Sequence, residues 1–119
     1  MQNDELLYAI ALTKIENVGA VTAKNLISYC GSPQAVLQEK KQHLLRIPQI
    51  GEAIAQAIQD PRIFSKAEKE LRFVDQEHIQ IIYYQDDLYP NRLKNYLDSP
   101  LLMYYKGTSD LNQEKIIAV

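Results

Sequence analysis

Apolar residues in the first half of the chain recur at helical spacing. Asn3 or Asp4 is placed to cap a first helix, whose apolar face is Leu6, Leu7, Ile10 and Ala11. Ser-Pro at 32–33 and Asp-Pro at 60–61 each put a capping residue before a proline. Proline loses nothing at the first helical position, because its missing N–H would be unpaired there. We therefore predict helices that begin near these two prolines.

The helix predicted to begin near Pro61 is long, and the pattern of apolar residues changes after it. Its apolar stripe continues to about Glu77 and comprises Ile63, Ala67, Leu71 and Val74. From His78 onward three short runs are rich in β-branched and aromatic residues, at 79–84, 101–105 and 115–119. Such runs are too short for helices and are typical of buried strands. A short helix is predicted at Pro90. The sequence thus predicts an α+β fold, with a helical domain over 1–60 and an α/β domain over 61–119.

One short phrase occurs twice in the helical part. "IENVGAVTAKNLI" begins at Ile15, and "IPQIGEAIAQAI" begins 32 residues later, at Ile47. Gly19 aligns with Gly51, and the apolar positions around them also align. Each copy joins two short helices through a turn that ends in glycine, where we expect a positive φ. The repeat predicts a helical bundle of tandem helix-hairpin-helix (SAM-like) motifs.

Such hairpins are known for holding DNA phosphates without reading bases. The first N–H groups of a helix have no internal partner, and together with the helix dipole they attract anions. The usual turn is Gly-apolar-Gly, and here Asn17 and Gln49 replace the first glycine. Asn tolerates the left-handed backbone conformation better than Gln does. The candidate nucleic-acid-binding residues are Asn17, Gly19, Lys24, Gln49 and Gly51.

The same hairpins also serve as packing or partner-docking units, and the charges favour that use. The first hairpin offers Lys14 and Lys24 against Glu16. The second offers Arg46 against Glu52, which directly follows the glycine and would repel a phosphate or fill the anion site itself. Both uses stay open, and any residual DNA binding is expected through the first hairpin and Lys24.

Composition adds few constraints. The 119 residues carry 13 Lys plus Arg against 15 Asp plus Glu, so the net charge of −2 shows no basic excess of the kind common in nucleic-acid-binding domains. Cys30, His43 and His78 are too scattered for a metal site, and no cofactor motif is present. No apolar run approaches the ~18 residues of a membrane span, and the acidic N-terminus is not typical of a signal peptide. We expect a soluble cytoplasmic protein.

The segment from Asp86 to Val119 resembles the DNA-processing protein A family (DprA, or Smf). In that family a Tyr-Pro-x-x-Leu segment is followed by a strand that runs from a proline through a Leu-Tyr pair to a glycine. A second, apolar strand comes next. The matching elements here are Tyr89-Pro90, Leu93, Asp98, Pro100, Tyr104, Lys106 and Gly107, followed by "KIIAV". Met103 stands where leucine is usual, a swap that cores tolerate. A preceding helical domain with hairpins also fits.

This resemblance implies a function and a fold. Family members bind and protect single-stranded DNA during natural transformation and help load the RecA recombinase; they are not enzymes. Their DNA pocket lies in an extended Rossmann-like domain, on a Gly-Thr/Ser-Arg segment directly after the strand that here reads "IIAV". We expect that pocket beyond Val119, and therefore weak single-stranded DNA binding by the chain itself. In the full family fold residues 115–119 would form an interior strand. In this chain we expect the edge of that strand to be uncovered and to promote self-association.

Other interpretations remain open beside this one. The chain could be a stand-alone helix-hairpin-helix domain of the DNA-repair type. Catalysis is not expected, because Asp86 and Asp87 are typical of a solvated loop. The paired tyrosines of the predicted strands are expected to alternate between core and surface. Finally, Gly19 and Gly51 are expected to matter for folding, since valine at a positive-φ position would cost about 1–3 kcal/mol.

Overall fold

The computed structural model describes residues 3–106 and 116–118, with side chains over 4–106. The predicted helices near Pro33, Pro61 and Pro90 are confirmed, and so are the strand positions within the described residues. The elements in chain order are α1 (Asn3–Thr13), α2 (Ala20–Cys30), α3 (Pro33–Gln38), α4 (Lys41–Leu44), α5 (Glu52–Ile58), α6 (Arg62–Gln76), β1 (Gln80–Tyr83), α7 (Asn91–Lys94), β2 (Leu102–Tyr105) and β3 (Ile116–Ala118).

Side-chain caps explain where two of these helices begin. The Ser32 hydroxyl accepts a hydrogen bond from the backbone N–H of Ala35 at 3.1 Å. The Asp60 carboxylate accepts from the backbone N–H of Arg62 at 2.9 Å. Each satisfies a donor at a helix start that would otherwise lack a partner. The Ser-Pro and Asp-Pro pairs therefore mark helix starts as predicted.

The described strands form a three-stranded sheet in the order β1-β2-β3. Both pairs are antiparallel, with Ile82 opposite Met103 and Tyr104 opposite Ile117. The expected Rossmann-like sheet is not confirmed, because such sheets are mostly parallel. In the described sheet β3 lies at the end and pairs only with β2, and its interior position in a full family fold stays a prediction. Lys115 and Val119 lie outside the described residues.

Strand β2 is buried on both of its faces. On one face Leu102 and Tyr104 join the main core beneath the helices. On the other face Met103 and Tyr105 join a smaller cluster with Tyr89, whose hydroxyl donates to the Pro100 carbonyl at 2.8 Å. The segment between β1 and β2 thus covers the second face. Burial on both faces corrects the expectation that half of the strand tyrosines would point to the surface.

Helix α6 packs mainly on α1 and so joins the helical part. Its buried residues Ile63, Ala67 and Val74 lie in the main core, and Phe64 packs edge-on against Tyr8 with ring centroids 5.7 Å apart. The domain boundary predicted between residues 60 and 61 stays a prediction.

Glu70 of α6 connects three parts of the chain. One carboxylate oxygen accepts from the Lys14 ammonium at 2.5 Å, and the other accepts from the Tyr104 hydroxyl. Burial, and then the hydrogen bond to Glu70, raises the pKa of Tyr104. Lys14 follows α1, and Tyr104 lies on β2, so this carboxylate ties the start of the first hairpin to the sheet.

A second buried tyrosine, Tyr83, lacks such a partner. Tyr83 and Tyr104 are 5% and 6% exposed, but the Tyr83 hydroxyl has no hydrogen-bond partner of normal geometry among the described residues. Its ring lies against Tyr84, with centroids 4.8 Å apart. Burial raises the pKa of Tyr83 as well. The two tyrosines are therefore a matched pair that differs in one hydrogen bond.

We predict that Tyr104→Phe lowers the free energy of unfolding at pH 7 by about 1–3 kcal/mol, because it leaves the largely buried Glu70 carboxylate short of one donor. Tyr83→Phe serves as the control and should leave stability unchanged or up to about 1 kcal/mol higher, since it removes an unpaired hydroxyl. Urea titrations of the three proteins measure both effects. Equal losses in the two variants would contradict the assigned hydrogen bond.

Stability should also fall at alkaline pH. Folded Tyr104 and Tyr83 hold their protons more tightly than the unfolded chain does, so above about pH 10 the unfolded state binds fewer protons than the folded state. The tyrosine contribution is therefore fully present below about pH 10 and is lost as pH rises further. Urea titrations between pH 8 and pH 11 should show a shallower alkaline loss in either Phe variant than in the wild type.

Candidate nucleic-acid interface

The sequence repeat is also a repeat of backbone geometry. In the first hairpin the N–H of Val18 donates to the carbonyl of Ile15 at 3.2 Å. In the second, the N–H of Ile50 donates to the carbonyl of Ile47 at 3.1 Å. All four side chains are buried in the main core. The apolar positions that align in the sequence therefore hold two equivalent turns.

The left-handed residues of these turns are not the glycines. Asn17 has φ of 66° and Gln49 has φ of 71°. Gly19 (φ −90°, ψ −171°) and Gly51 (φ −94°, ψ −177°) are extended N-cap residues of α2 and α5. The expectation of positive φ at the two glycines is wrong, because the chain reverses two residues before each of them.

The glycines accordingly have a different role from the one expected. A Cβ added at Gly19 or Gly51 would meet no heavy atom within 4 Å. The strain expected for valine at these positions is therefore absent. Both glycines are exposed and no side chain caps either helix. What glycine provides here is an open approach to the first backbone N–H groups of each helix.

The two lysines of the first hairpin are engaged within the molecule. Lys24 Nζ donates to the carbonyl and to the hydroxyl oxygen of Ser99, at 2.9 Å each, and lies 5.1 Å from the centroid of the Tyr84 ring. Desolvation lowers the pKa of Lys24, against the opposing effect of Asp98. Lys14 is bound to Glu70 as described. Both ammonium groups are thus engaged within the molecule, and Lys24, with its bonds to the Ser99 carbonyl and hydroxyl oxygens, more fully than Lys14.

The first hairpin also lies beside the start of β2. A cleft of about 170 Å³ separates the two, lined on the hairpin side by Val18, Gly19 and Ala23 and on the other by Pro100 and Leu101. Together with the Lys24–Ser99 contact, this places the first hairpin against the sheet. In this structure the first hairpin packs against the segment that leads into β2, and its contact with DNA stays a prediction.

The second hairpin keeps more of its charge exposed. Lys40 and Arg46 are both exposed and make no ion pair within the described part of the chain. Glu52, which was expected to repel or replace a phosphate, is paired with Lys41. On the neighbouring turn, the hydrogen bond from His43 at 2.8 Å lowers the pKa of Glu39. Both exposed cations precede the second turn, and Arg46 directly adjoins it.

The five candidate residues therefore fall into three groups. Asn17 and Gln49 make the left-handed turns, Gly19 and Gly51 are open N-caps, and Lys24 is committed to the sheet. Their DNA contacts stay a prediction. The partners of the first hairpin, Glu70 and Ser99, were missed because they lie 56 and 75 residues from the lysines they bind. No local sequence pattern reports contacts over such separations.

The acidic and sulfur-containing residues show no assembled reaction centre within the described residues. The Asp86 carboxylate accepts from the backbone N–H of Tyr83 at 2.9 Å and so shapes the end of β1. Cys30 is half-buried, and burial raises the pKa of its thiol. In residues 4–106, no three His, Cys, Asp or Glu side chains are grouped in a way that could hold a metal ion. Nor does any helix in the described ranges have the length and apolarity to cross a membrane.

Comparison with known protein families gives two matches, in chain order. Residues 6–71, more than half of the chain, match the helix-hairpin-helix motif family. Residues 80–119 match the DNA recombination-mediator protein A family. No curated protein sequence matches the chain significantly. The resemblance predicted from the Tyr89–Gly107 segment is thereby confirmed.

We predict that Gln49→Gly raises the free energy of unfolding by up to about 1 kcal/mol. The left-handed backbone conformation costs a residue with a side chain about 1–2 kcal/mol. Glycine removes this cost, but part of the gain is lost because glycine also increases the conformational entropy of the unfolded chain. Asn17→Gly should gain less, since Asn tolerates this conformation. Gly51→Val should lose no more than the ~1 kcal/mol typical of a poorer N-cap. Thermal or urea unfolding checks the order, and a larger loss for Gly51→Val than for Gln49→Val would contradict it.

Proposed function

The chain belongs to the helix-hairpin-helix family, its second part matches DNA recombination-mediator protein A, and on this basis we propose that it works in DNA processing as a binding protein for single-stranded DNA. The observation that carries the proposal is the succession of the two family regions on one chain. The role is binding rather than catalysis. The finer role follows the family: protecting incoming single strands in natural transformation and helping RecA to load.

Within this chain, we propose that the second hairpin makes a weak contact with the DNA backbone. Lys40 and Arg46 supply exposed charge in the segment that leads into the turn, and Gln49 and Gly51 lie in the turn itself. The first hairpin is less suited because its ammonium groups are used internally. Two free cations and a net charge of −2 support weak, salt-dependent binding rather than a tight site.

The direct test is a fluorescence anisotropy titration with a labelled oligothymidylate and with a duplex of the same length, at two salt concentrations. We expect dissociation constants above about 1 μM at physiological salt, with a negative salt slope, and a preference for the single strand. Submicromolar affinity would contradict the expectation of weak binding. Duplex preference would instead favour the stand-alone repair-type domain, which the length of the helix-hairpin-helix match keeps as a second candidate.

The RecA part of the proposal has a separate readout. Adding the protein to single-stranded DNA already coated by a single-stranded-DNA-binding protein should shorten the lag before RecA hydrolyses ATP. An unchanged lag, with single-stranded DNA binding intact, would remove RecA loading from the proposed function and leave DNA binding in place.

Arg46→Glu should weaken oligothymidylate binding several-fold and reduce the magnitude of the salt slope by about 1–2, as expected when a phosphate contact becomes a repulsion. Lys24→Glu is the matched control on the first hairpin. It should leave the slope nearly unchanged but destabilise the fold, because it breaks the Ser99 contacts. The opposite result, a change of slope for Lys24→Glu alone, would return the DNA contact to the first hairpin.

Self-association is also part of this proposal. In the described sheet β3 pairs with β2 on one side only, and an open strand edge is a template for a second chain. We expect the average mass measured by light scattering to rise with protein concentration. A constant monomer mass over a hundredfold range would contradict self-association through this edge.

A further inference from the structure

The exposed face of α6 carries an aromatic residue among cations. The helix is strongly amphipathic, with Ile63, Ala67 and Val74 turned into the core. Phe73, about 100° round the helix from Val74, is 53% exposed. Phe73 is one of several large apolar side chains exposed in the described residues, and it is of interest here because of the cations beside it on the helix.

Helical spacing places this ring at the end of a row of positive charges. Arg62, Lys66, Lys69 and Phe73 are separated by four, three and four residues, so they lie along one side of α6. At 1.5 Å per residue, successive members are about 4.5–6 Å apart along the helix axis. We call these four residues the α6 stripe.

Two of the three acidic residues of α6 lie away from this row. At 100° per residue, Glu68 and Asp75 fall on a different side of the helix from the α6 stripe. Glu70 lies closer but is bound to Lys14 and Tyr104. The stripe is thus more positive than the net charge of the chain would suggest.

The cations of the α6 stripe are available to a ligand. Lys66 and Lys69 are exposed and make no ion pair within the described residues. Arg62 does pair with Asp60, at 2.7 Å, but its side chain is 85% exposed, and such surface pairs are weak. Beside this end of the stripe is a cleft of about 390 Å³ lined by Arg62, Lys66, Asp60 and Lys14 among others.

We propose that the α6 stripe is a binding surface for single-stranded nucleic acid, with Phe73 stacking on a base and Lys66 and Lys69 contacting adjacent phosphates. This combination of a stacking ring and neighbouring cations is how proteins bind single strands without reading sequence. A duplex is excluded from the stacking contact, because its bases are already stacked on one another. The inference rests on the proposed function and assigns it a second surface, separate from the hairpin turns.

The chain has no tryptophan, so Phe73→Trp introduces a single tryptophan in the stripe, which can be excited selectively over the tyrosines. Titration with oligothymidylate should quench its fluorescence in a saturable, salt-dependent manner, and a duplex of the same length should quench it much less. Tyr29→Trp is the matched control, since Tyr29 is 63% exposed but lies on α2. Equal quenching of the two reporters, or no quenching of either, would overturn the proposal.

A charge reversal tests the cations independently. Lys69→Glu should weaken oligothymidylate binding at least threefold and reduce the magnitude of the salt slope by about 1–2. Arg72→Glu is an identical change in charge on the same helix, off the stripe, and should have a clearly smaller effect. Similar effects of the two variants would show that only overall charge matters and would contradict a defined surface.

These outcomes separate the α6 stripe from the proposed function. If Arg46→Glu weakens binding while Lys69→Glu has no effect and the fluorescence of the Phe73→Trp variant does not respond, the stripe is wrong and single-stranded DNA binding stands. If an acidic peptide such as oligoglutamate quenches the Phe73→Trp variant as strongly as the oligonucleotide does, the surface is one for acidic chains in general and the proposal is overturned.

Discussion

Two oxygens of one carboxylate join three segments that are far apart in sequence. Glu70 on α6 accepts from Lys14 at the end of α1 and from Tyr104 on β2. A largely buried carboxylate cannot be left without its partners, because an uncompensated buried charge costs several kcal/mol. The Lys14–Glu70–Tyr104 contact therefore fixes where the sheet lies against the helices, and the buried Tyr83 and Leu102 fill the remaining space.

The position of the sheet explains why the charged side chains of the two hairpins differ in their surroundings. The first hairpin lies beside the fixed sheet, so Lys24 binds Ser99 and its charge is partly desolvated. The second hairpin has no such neighbour among the described residues and keeps Lys40 and Arg46 in solvent. Equal backbone geometry thus yields an internal packing unit in one copy and an available surface in the other. The proposed DNA contacts, at the second turn and on α6, follow this distribution of free charge.

Much of the fold could be predicted from local pattern. Ser32 and Asp60 before proline marked helix starts, and the 32-residue repeat marked two equivalent turns. What could not be predicted depends on distant contacts or on backbone detail. No pattern near Lys24 reports that Ser99 will bind it, and the repeat did not show that Gly19 would be an extended N-cap residue without positive φ. The pairing direction of β3 also depends on tertiary contacts that its apolar sequence does not encode.

The central claim is that helices and sheet form one cooperative unit through Glu70, and native-state hydrogen exchange tests it most directly. The amide of Tyr84, which donates to Leu101 at 3.0 Å, reports on the sheet, and the amide of the buried Leu26 reports on α2. We expect both to open with free energies within about 1 kcal/mol of each other, and Glu70→Gln to lower both together. A sheet that opens more easily than α2 by over ~2 kcal/mol, with Leu26 unaffected by Glu70→Gln, would contradict the claim.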